Sequence, residues 1–396
     1  MQSGIPLRDG AGTAAMSRAL GKIVLAPMEG LADDVLRAVL TSAGGYDWCV
    51  TEFVRVTTTL LPHSCFTRLS PELKRGSRTA GGTPVRIQLL GSDPVMLARN
   101  AAHLALLNPA GIDLNFGCPT PLVNRNRGGA ALLDEPELLQ RIASAVRTAV
   151  PLSIPVTAKM RLGIEDTDRA LDCALALEAG GVQELVVHAR TKVDGYRPLV
   201  RWEWIARIRE AVKLPIIANG EVWNVAGYRA ICAATGCSDV MLGRGAVADP
   251  LLARRIRVGT EEHVTDADWE ELQRMIAGFW VRVQAKLTPT QSPGRLKQWL
   301  GLMRRSYPQA ERLFGELREA RRHCDRNDRR WPAPDAASGL RESRGPCRRS
   351  PRASRRECSA RCRARPQAAP VDRRRRGSPG SARQSCATIC AGRPRR

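Results

Sequence analysis

The sequence predicts an α/β chain: a (β/α)8 (TIM) barrel followed by a small all-helical domain. Three observations carry this. Between residues 22 and 258 a short apolar run, a loop and an amphipathic stretch recur eight times, the number a (β/α)8 barrel requires. The apolar runs are nearly continuous rather than alternating, as in parallel strands covered on both faces. Polar residues collect at the C-terminal ends of those runs, where a barrel builds its active site. A doubly wound sheet also alternates strand and helix, but no Gly-x-Gly-x-x-Gly comes after the first run, which weighs against that arrangement.

In chain order, the first strand is expected at 23–28 and its helix at 33–42. The second strand is 48–53, succeeded by a long loop through Pro62, Pro71 and Gly76. The third strand, 85–90, precedes a helix at 94–107, and the fourth, 111–115, leads to a helix at 137–149. Strands five to eight fall at 155–160, 184–188, 215–219 and 239–243. Their helices fall at 168–179, 204–212, 225–235 and 250–257. Beyond Gly259 the spacing becomes helical throughout: 265–286, capped by Asp266 or Asp268, then 294–305 and 308–322. These helices carry Arg, Lys and Trp at positions that read as exposed. The expected domains are thus an N-terminal extension, 1–20, with Met16 a second candidate start; the barrel, 21–258; the helical domain, 259–320; and an Arg/Pro/Ser-rich tail, 321–396.

The tail holds 23 Arg, no Lys and 6 acidic residues, a net +17 of the chain's +23. With almost no apolar periodicity it cannot bury a core and is expected to be disordered. Its Arg, Pro, Ala, Gly and Cys are what a GC-rich gene yields out of frame. A frameshifted or read-through C-terminus is therefore expected ahead of a disordered RNA-binding arm. The rest of the chain is mildly basic, compatible with RNA. Six of the 12 cysteines lie before residue 321, scattered and without a CxxC pair, which fits a reducing cytoplasm rather than a disulfide framework. The N-terminus lacks the apolar core of a secretory signal. No apolar run reaches the roughly 18–20 residues of a membrane span.

The chemistry gathers at the strand ends. The fourth strand runs into Gly117-Cys118-Pro119, a stiff turn presenting one thiol; Gly117 is expected to permit the bend and Pro119 to fix the next dihedral. A lone cysteine is more often a packed, inert thiol, so the neighbours decide. They are Pro27, Met28, Glu29, Gln88, Asn115, Lys159, His188, the Asn219-Gly220-Glu221 turn and the Gly243-Arg244-Gly245 turn. The last two lie where barrels bind phosphate, with backbone N–H groups and Arg244 to face it. Lys159 and Gln88 suit the oxygens and nitrogens of a flavin ring. No grouping of metal-ligand character is present, nor a Ser-His-Asp arrangement.

These stretches, with Thr51-Glu52-Phe53-Val54-Arg55, Lys159-Met160-Arg161-Leu162-Gly163, His188-Ala189-Arg190-Thr191 and Arg295-Leu296-Lys297-Gln298-Trp299-Leu300, resemble the tRNA-dihydrouridine synthases, in order, from about Val24 to Arg318. Ala26-Pro27-Met28-Glu29-Gly30, the Thr51 stretch and the Arg295 stretch are similar to the synthase C branch, which acts on uridine 16 of the tRNA D-loop. The resemblance implies FMN in the barrel mouth, reduced by NADPH or NADH. It implies a proton from Cys118 to C5 of the uracil and hydride from flavin N5 to C6. A thiol of ordinary pKa, about 8.5, holds its proton at neutral pH and can serve as that acid. The base must leave its stack to reach the ring.

By the same resemblance Pro27, Met28, Glu29, Gln88, Lys159, His188, Asn219, Gly220, Glu221, Gly243 and Arg244 hold FMN. Asn115 and Tyr196 lie near the substrate, and Arg55, Arg295, Lys297 and Arg318 grip tRNA. Without it, those four cations read as a solvated basic face. The expected enzyme is a cytoplasmic, metal-free monomer with tRNA as its partner. Phe116 stands where the branch often has Cys, and Ala32 where Thr is frequent. The residues leave two other readings. One is the same barrel acting on a free pyrimidine, which needs no cationic helical domain. The other is a tRNA-binding module disabled by its C-terminus, against which the full set of strand-end residues argues.

Overall fold

The computed structural model describes residues 21–125, 127–260 and 265–327; the N-terminal extension and almost all of the expected tail lie outside them. Eight parallel strands close into a barrel in sequence order, with β8 pairing back to β1. They are β1 Ile23–Leu25, β2 Trp48–Arg55, β3 Val85–Leu90, β4 Ile112–Phe116, β5 Val156–Arg161, β6 Leu185–His188, β7 Ile216–Asn219 and β8 Val240–Leu242. β1 is shorter than expected: after Ala26, whose N–H bonds to Leu242 O, the chain turns so that Met28 O accepts from Leu31 and Ala32. β2 runs two residues further than expected, pairing Arg55 with Leu90.

Strand side chains alternate faces, and here both faces are buried. Ile23, Leu25, Ile87, Ile112, Leu114, Val187 and Leu242 pack outward in the large core beneath the helices. Val24, Val50, Val186, Ile217 and Met241 form a second cluster with Trp48. The inward positions of β3, β4 and β5 break the apolar run with Gln88, Asp113 and Thr157, all buried. The barrel interior is thus apolar on one side and hydrogen-bonded on the other. Next to Trp48, Glu184 closes a salt bridge of 2.5 Å to Arg86 and one of 2.6 Å to Lys22.

The helices around the barrel include α1 Asp34–Ser42. The excursion at 56–84, expected as a loop, contains α2 His63–Leu69 and a 3-10 segment, Pro71–Arg75. It is ordered by a pair the local sequence does not announce: Arg37 of α1 bonds Glu72 at 2.9 Å with both side chains almost fully buried. Then come α3 Pro94–Ala105, α4 Pro121–Arg125, a 3-10 segment Gly129–Asp134, α5 Pro136–Ala149, α6 Ala170–Ala179, α7 Trp202–Ala211, α8 Val225–Thr235, α9 Arg244–Ala248 and α10 Leu252–Val258. The Gly243-Arg244-Gly245 turn is therefore the entry to α9 rather than a free loop.

Three more helices complete the described chain: α11 Asp266–Lys286, α12 Ser292–Met303 and α13 Pro308–Asn327. The cap of α11 is Thr265, with Asp268 completing a capping box; neither aspartate is itself the cap. The tryptophans expected to be exposed are not. Trp299 is fully buried, donates to Val247 O at 3.1 Å and meets Phe279 edge-on, and Trp280 is also buried. Apolar area at helix–barrel contacts outweighs a surface role for so large a side chain. Among the described residues no helix is long and apolar enough to cross a membrane.

Candidate active site

A cavity of about 480 Å³ opens at the C-terminal ends of the strands, within the roughly 300–1,000 Å³ range of cofactor and ligand sites. Pro27, Met28, Glu29, Gln88, Asn115, Cys118, Lys159, His188, Tyr196, Asn219, Gly220, Glu221, Gly243 and Arg244 all line it. Arg55, Arg295, Lys297 and Arg318 are not among its lining residues. Glu52, Phe53, Trp223 and Gln298 line it too and were not among the expected site residues. Arg161 and Arg190 line it as well; their sequence places them at strand ends without a role. The missed residues leave a weak trace, since Glu52, Phe53 and Gln298 sit inside conspicuous stretches.

Cys118 is buried apart from its cavity face. Its turn is held by the Asn115 side chain, whose Oδ1 accepts from Gly117 N at 3.0 Å and Cys118 N at 2.9 Å. From the other side Cys118 O accepts from Asn124 Nδ2 at 3.0 Å and Ala130 N at 3.1 Å. The sulfur donates to Thr120 Oγ1 at 3.3 Å, and Thr120 is exposed. The expectation for Gly117 is corrected: a Cβ there would meet only ordinary contacts, at 3.5 Å or beyond. The glycine that this turn needs is Gly129, at φ 62°, where a Cβ would press on Cys118 O at 2.9 Å and Cys118 Cβ at 3.0 Å.

Around the thiol, the cavity is cationic, and Arg161 Nε donates to Gly117 O at 2.9 Å. Lys159 donates to Asn219 Oδ1 at 3.0 Å. Enclosure by protein, then the Arg161 charge, bring its pKa down to about 7, with Asp113 offsetting part. Burial, then Lys159, Arg161, Arg190 and Arg244, push His188 well below its usual value, so the imidazole is neutral. Arg190 Nη1 lies 3.4 Å from His188 Nε2. A guanidinium only donates, so Nε2 accepts and the ring proton sits on Nδ1. Glu221, in the left-handed region at φ 61°, bonds Arg190 at 2.5 Å and Trp223 Nε1 at 2.9 Å. Burial alone would raise its pKa, but Arg190 and Trp223 more than offset that and keep the carboxyl ionised. Two carboxyls on the rim behave differently: burial, then the neighbouring Glu52, raise Glu29 to about 7 against Arg55, and burial also raises Glu52.

The dihydrouridine synthase family model matches residues 24–315, which spans the barrel and all but the end of the helical region. The chain belongs to the dihydrouridine synthase family. It is 56% identical over 306 residues to "tRNA-dihydrouridine(16) synthase" of Pseudomonas syringae pv. tomato, covering 77% of this chain and 96% of that protein. A protein of the same description from Ralstonia nicotianae is 54% identical over 299 residues, covering 76% of this chain and 92% of the relative.

In this dihydrouridine synthase the rim is a ladder of cations and rings. Arg244 lies over Tyr196 at 4.6 Å and Trp223 at 5.2 Å, and Arg305, just past α12, over Trp223 at 3.8 Å. Each such contact contributes roughly 0.5–1 kcal/mol where exposed, so the ladder ties the helical region to the cavity mouth.

Arg295, expected to grip tRNA, is tied within the protein. It donates to Gly30 O and Leu31 O, each at 2.9 Å, and pairs with Asp33 at 3.0 Å. Gln298 adds a bond to Gly30 O at 2.8 Å. The Arg295 guanidinium is committed to the turn after β1, which carries Met28 and Glu29 into the cavity. Arg295→Ala should lower stability by about 1.5–3 kcal/mol, the usual cost of hydrogen bonds to a charged group, read as a shift in the urea midpoint. An unchanged midpoint with weaker tRNA binding would return Arg295 to the RNA. Lys297 is half-buried on α12, while Arg318 is exposed on α13 and stacks near Phe314 at 5.9 Å.

Proposed function

We propose that this protein reduces uridine 16 of tRNA to 5,6-dihydrouridine, with FMN held in the cavity and NADPH as the reductant. The observation that carries the proposal is that Cys118 and the turns after β7 and β8 line one cavity. The residues fit the cofactor. A Cβ on Gly243 would project into open space, leaving its peptide free to approach a phosphate, and Arg244 supplies the charge. Lys159 is a half-buried amine bonded to a neutral amide rather than a carboxylate, so a ring edge that becomes anionic on reduction completes its pairing. Pro27 and Met28 offer the apolar wall a flat ring requires, with NADH the alternative donor. Bound FMN would supply hydride to C6 of the uracil.

The chain's own residues do the rest. Cys118 gives its proton to C5, and Thr120, exposed and bonded to the sulfur, links the thiol to solvent for reprotonation. His188, neutral, packs against the bound rings without adding charge. Asn115 orients the thiol turn, and Tyr196 offers a face on which the extruded base stacks. Arg55, Lys297 and Arg318 face the tRNA backbone as phosphate contacts. We place the enzyme in the cytoplasm, acting as a monomer on free tRNA.

Mapping dihydrouridine in tRNA from cells lacking the gene tests the assignment. Loss at position 16, restored by the gene, is expected; an unchanged position 16 would end this reading. The lysine adds a pH signature. In the protein without FMN, Lys159 is half-deprotonated near pH 7, so between about 7 and 10.5 the folded state binds fewer protons than the unfolded and this group's share of stability rises with pH. An anionic ligand restores the ammonium. Binding of reduced FMN at pH 8, without oxygen, should therefore take up a proton, seen by calorimetry in buffers of different ionisation enthalpy, and Lys159→Met should abolish the uptake. Buffer-independent heat for the unmodified protein would contradict it.

A further inference from the structure

Beneath the thiol turn runs a chain of side-chain hydrogen bonds that begins at a carboxylate no part of the proposed reaction uses. Gln88, Asp113 and Thr157 are register partners on β3, β4 and β5, so their side chains share one row of the barrel interior. Thr157 Oγ1 donates to Asp113 Oδ1 at 2.6 Å, and Gln88 Nε2 to Asp113 Oδ2 at 2.7 Å. Gln88 Oε1 then accepts from Asn115 Nδ2 at 2.7 Å. Asn115 Oδ1 accepts from the N–H groups of Gly117 and Cys118. Asp113 and Gln88 are fully enclosed.

The two ends of this chain have fixed polarity. As the carboxylate, the form that the bonds from Gln88 and Thr157 favour against a burial that raises its pKa, Asp113 offers Gln88 only an acceptor, and a backbone N–H only donates. Between them lie two amides, each able to turn over. Turning either would set donor against donor or oxygen against oxygen in a buried site, where an unmade bond is costly. The carboxylate thus dictates which way Gln88 faces. Gln88 dictates Asn115, and Asn115 dictates the turn that carries the thiol.

We infer that Asp113 is a positioning residue for Cys118, acting through Gln88 and Asn115 rather than by touching substrate. The inference rests on the proposed function only for its kinetic consequence; the placement of the sulfur stands apart from it.

The test uses the full-length protein with FMN and three variants. Asp113→Leu keeps the branched shape and removes the acceptor. Asp113→Asn keeps an oxygen for Gln88 and turns its NH2 to the Thr157 hydroxyl, which can accept. Asn115→Asp breaks the chain at its far end by setting an oxygen against Gln88 Oε1. Two readouts are taken: iodoacetamide labelling of Cys118 relative to Cys65 by peptide mass spectrometry, and single-turnover reduction of unmodified tRNA by the NADPH-reduced enzyme.

Asp113→Leu should raise relative Cys118 labelling about fivefold or more, the effect of losing one ordinary hydrogen bond, while Asn115→Asp, whose new charge disfavours the reactive thiolate, is read by rate alone. Their single-turnover rate should fall about 10–100-fold, as small misplacements of a reacting group do, with KM for tRNA within about twofold. Asp113→Asn should restore both readouts to near the original. Wild-type labelling and rate in Asp113→Leu would overturn the inference. So would equal losses in Asp113→Asn and Asp113→Leu accompanied by loss of flavin and a lower melting point, since that is a merely structural role. If Asp113→Leu does not fold, Asn115→Asp against Asp113→Asn decides by rate. Should the unmodified enzyme fail to reduce tRNA at all, the functional reading falls, yet the labelling comparison still judges Asp113.

Discussion

Cys118→Ala should bind FMN and tRNA within about twofold of the unmodified protein and reduce uridine about 10²–10⁴ times more slowly, the usual range for removing a general acid. The structure makes this a clean subtraction. The turn is held by the backbone N–H groups of Gly117 and Cys118 bonding Asn115 Oδ1, and by Cys118 O accepting from Asn124 and Ala130. None of these involves the sulfur, so alanine leaves the turn in place and deletes only the proton donor. Thr120 loses one partner but is exposed to water. Cys118→Ser should fare little better, since a hydroxyl is a far weaker acid than a thiol. Single-turnover reoxidation of the reduced flavin by tRNA reads the chemical step directly. A rate within a few-fold of the original would remove Cys118 from the reaction.

How much of the molecule is legible in the sequence depends on how local each feature is. The barrel was legible because its strands read as near-continuous apolar runs and most of its polar residues fall at one end, both properties of short windows. The lining of the cavity was legible for the same reason: nearly all of the residues expected there project from strand ends or the turns just past them. What local windows missed rests on distant partners. The excursion after β2 is ordered by Arg37 and Glu72, which lie 35 positions apart. Arg295 reads as a surface cation until Gly30 and Asp33 are seen to receive it across the chain. Trp299 reads as exposed until Val247 O takes its N–H. The glycine beneath Cys118 is Gly129, well downstream and in a segment with no periodicity to mark it. The roles given to individual residues came from family resemblance, and the geometry adds for Arg295 a tie to the turn after β1.

Gly245→Ala is expected to strike the cofactor rather than the fold. A Cβ at this position would lie deep inside contact with Val222 O, and Trp223 Cα stands at 3.1 Å. Both obstacles are backbone, so no side chain can swing aside. The turns after β7 and β8 are thereby pressed together through a residue with no side chain, and one must shift. Val222 comes directly after Asn219-Gly220-Glu221, and Gly245 directly after Gly243-Arg244, so the shift parts the two walls proposed to hold the FMN phosphate. The barrel beneath is held by β7–β8 pairing at Ala218↔Val240 and Asn219↔Met241, which does not involve either turn. Overpacking of this kind costs about 1–3 kcal/mol. Falling on binding rather than folding, that is a loss of FMN affinity of roughly 5–150-fold. Flavin titration of the stripped protein measures it, with the urea midpoint as the control. Unchanged affinity with a lowered midpoint would mean that the strain is carried by the fold, and that the phosphate is not gripped where these two turns meet.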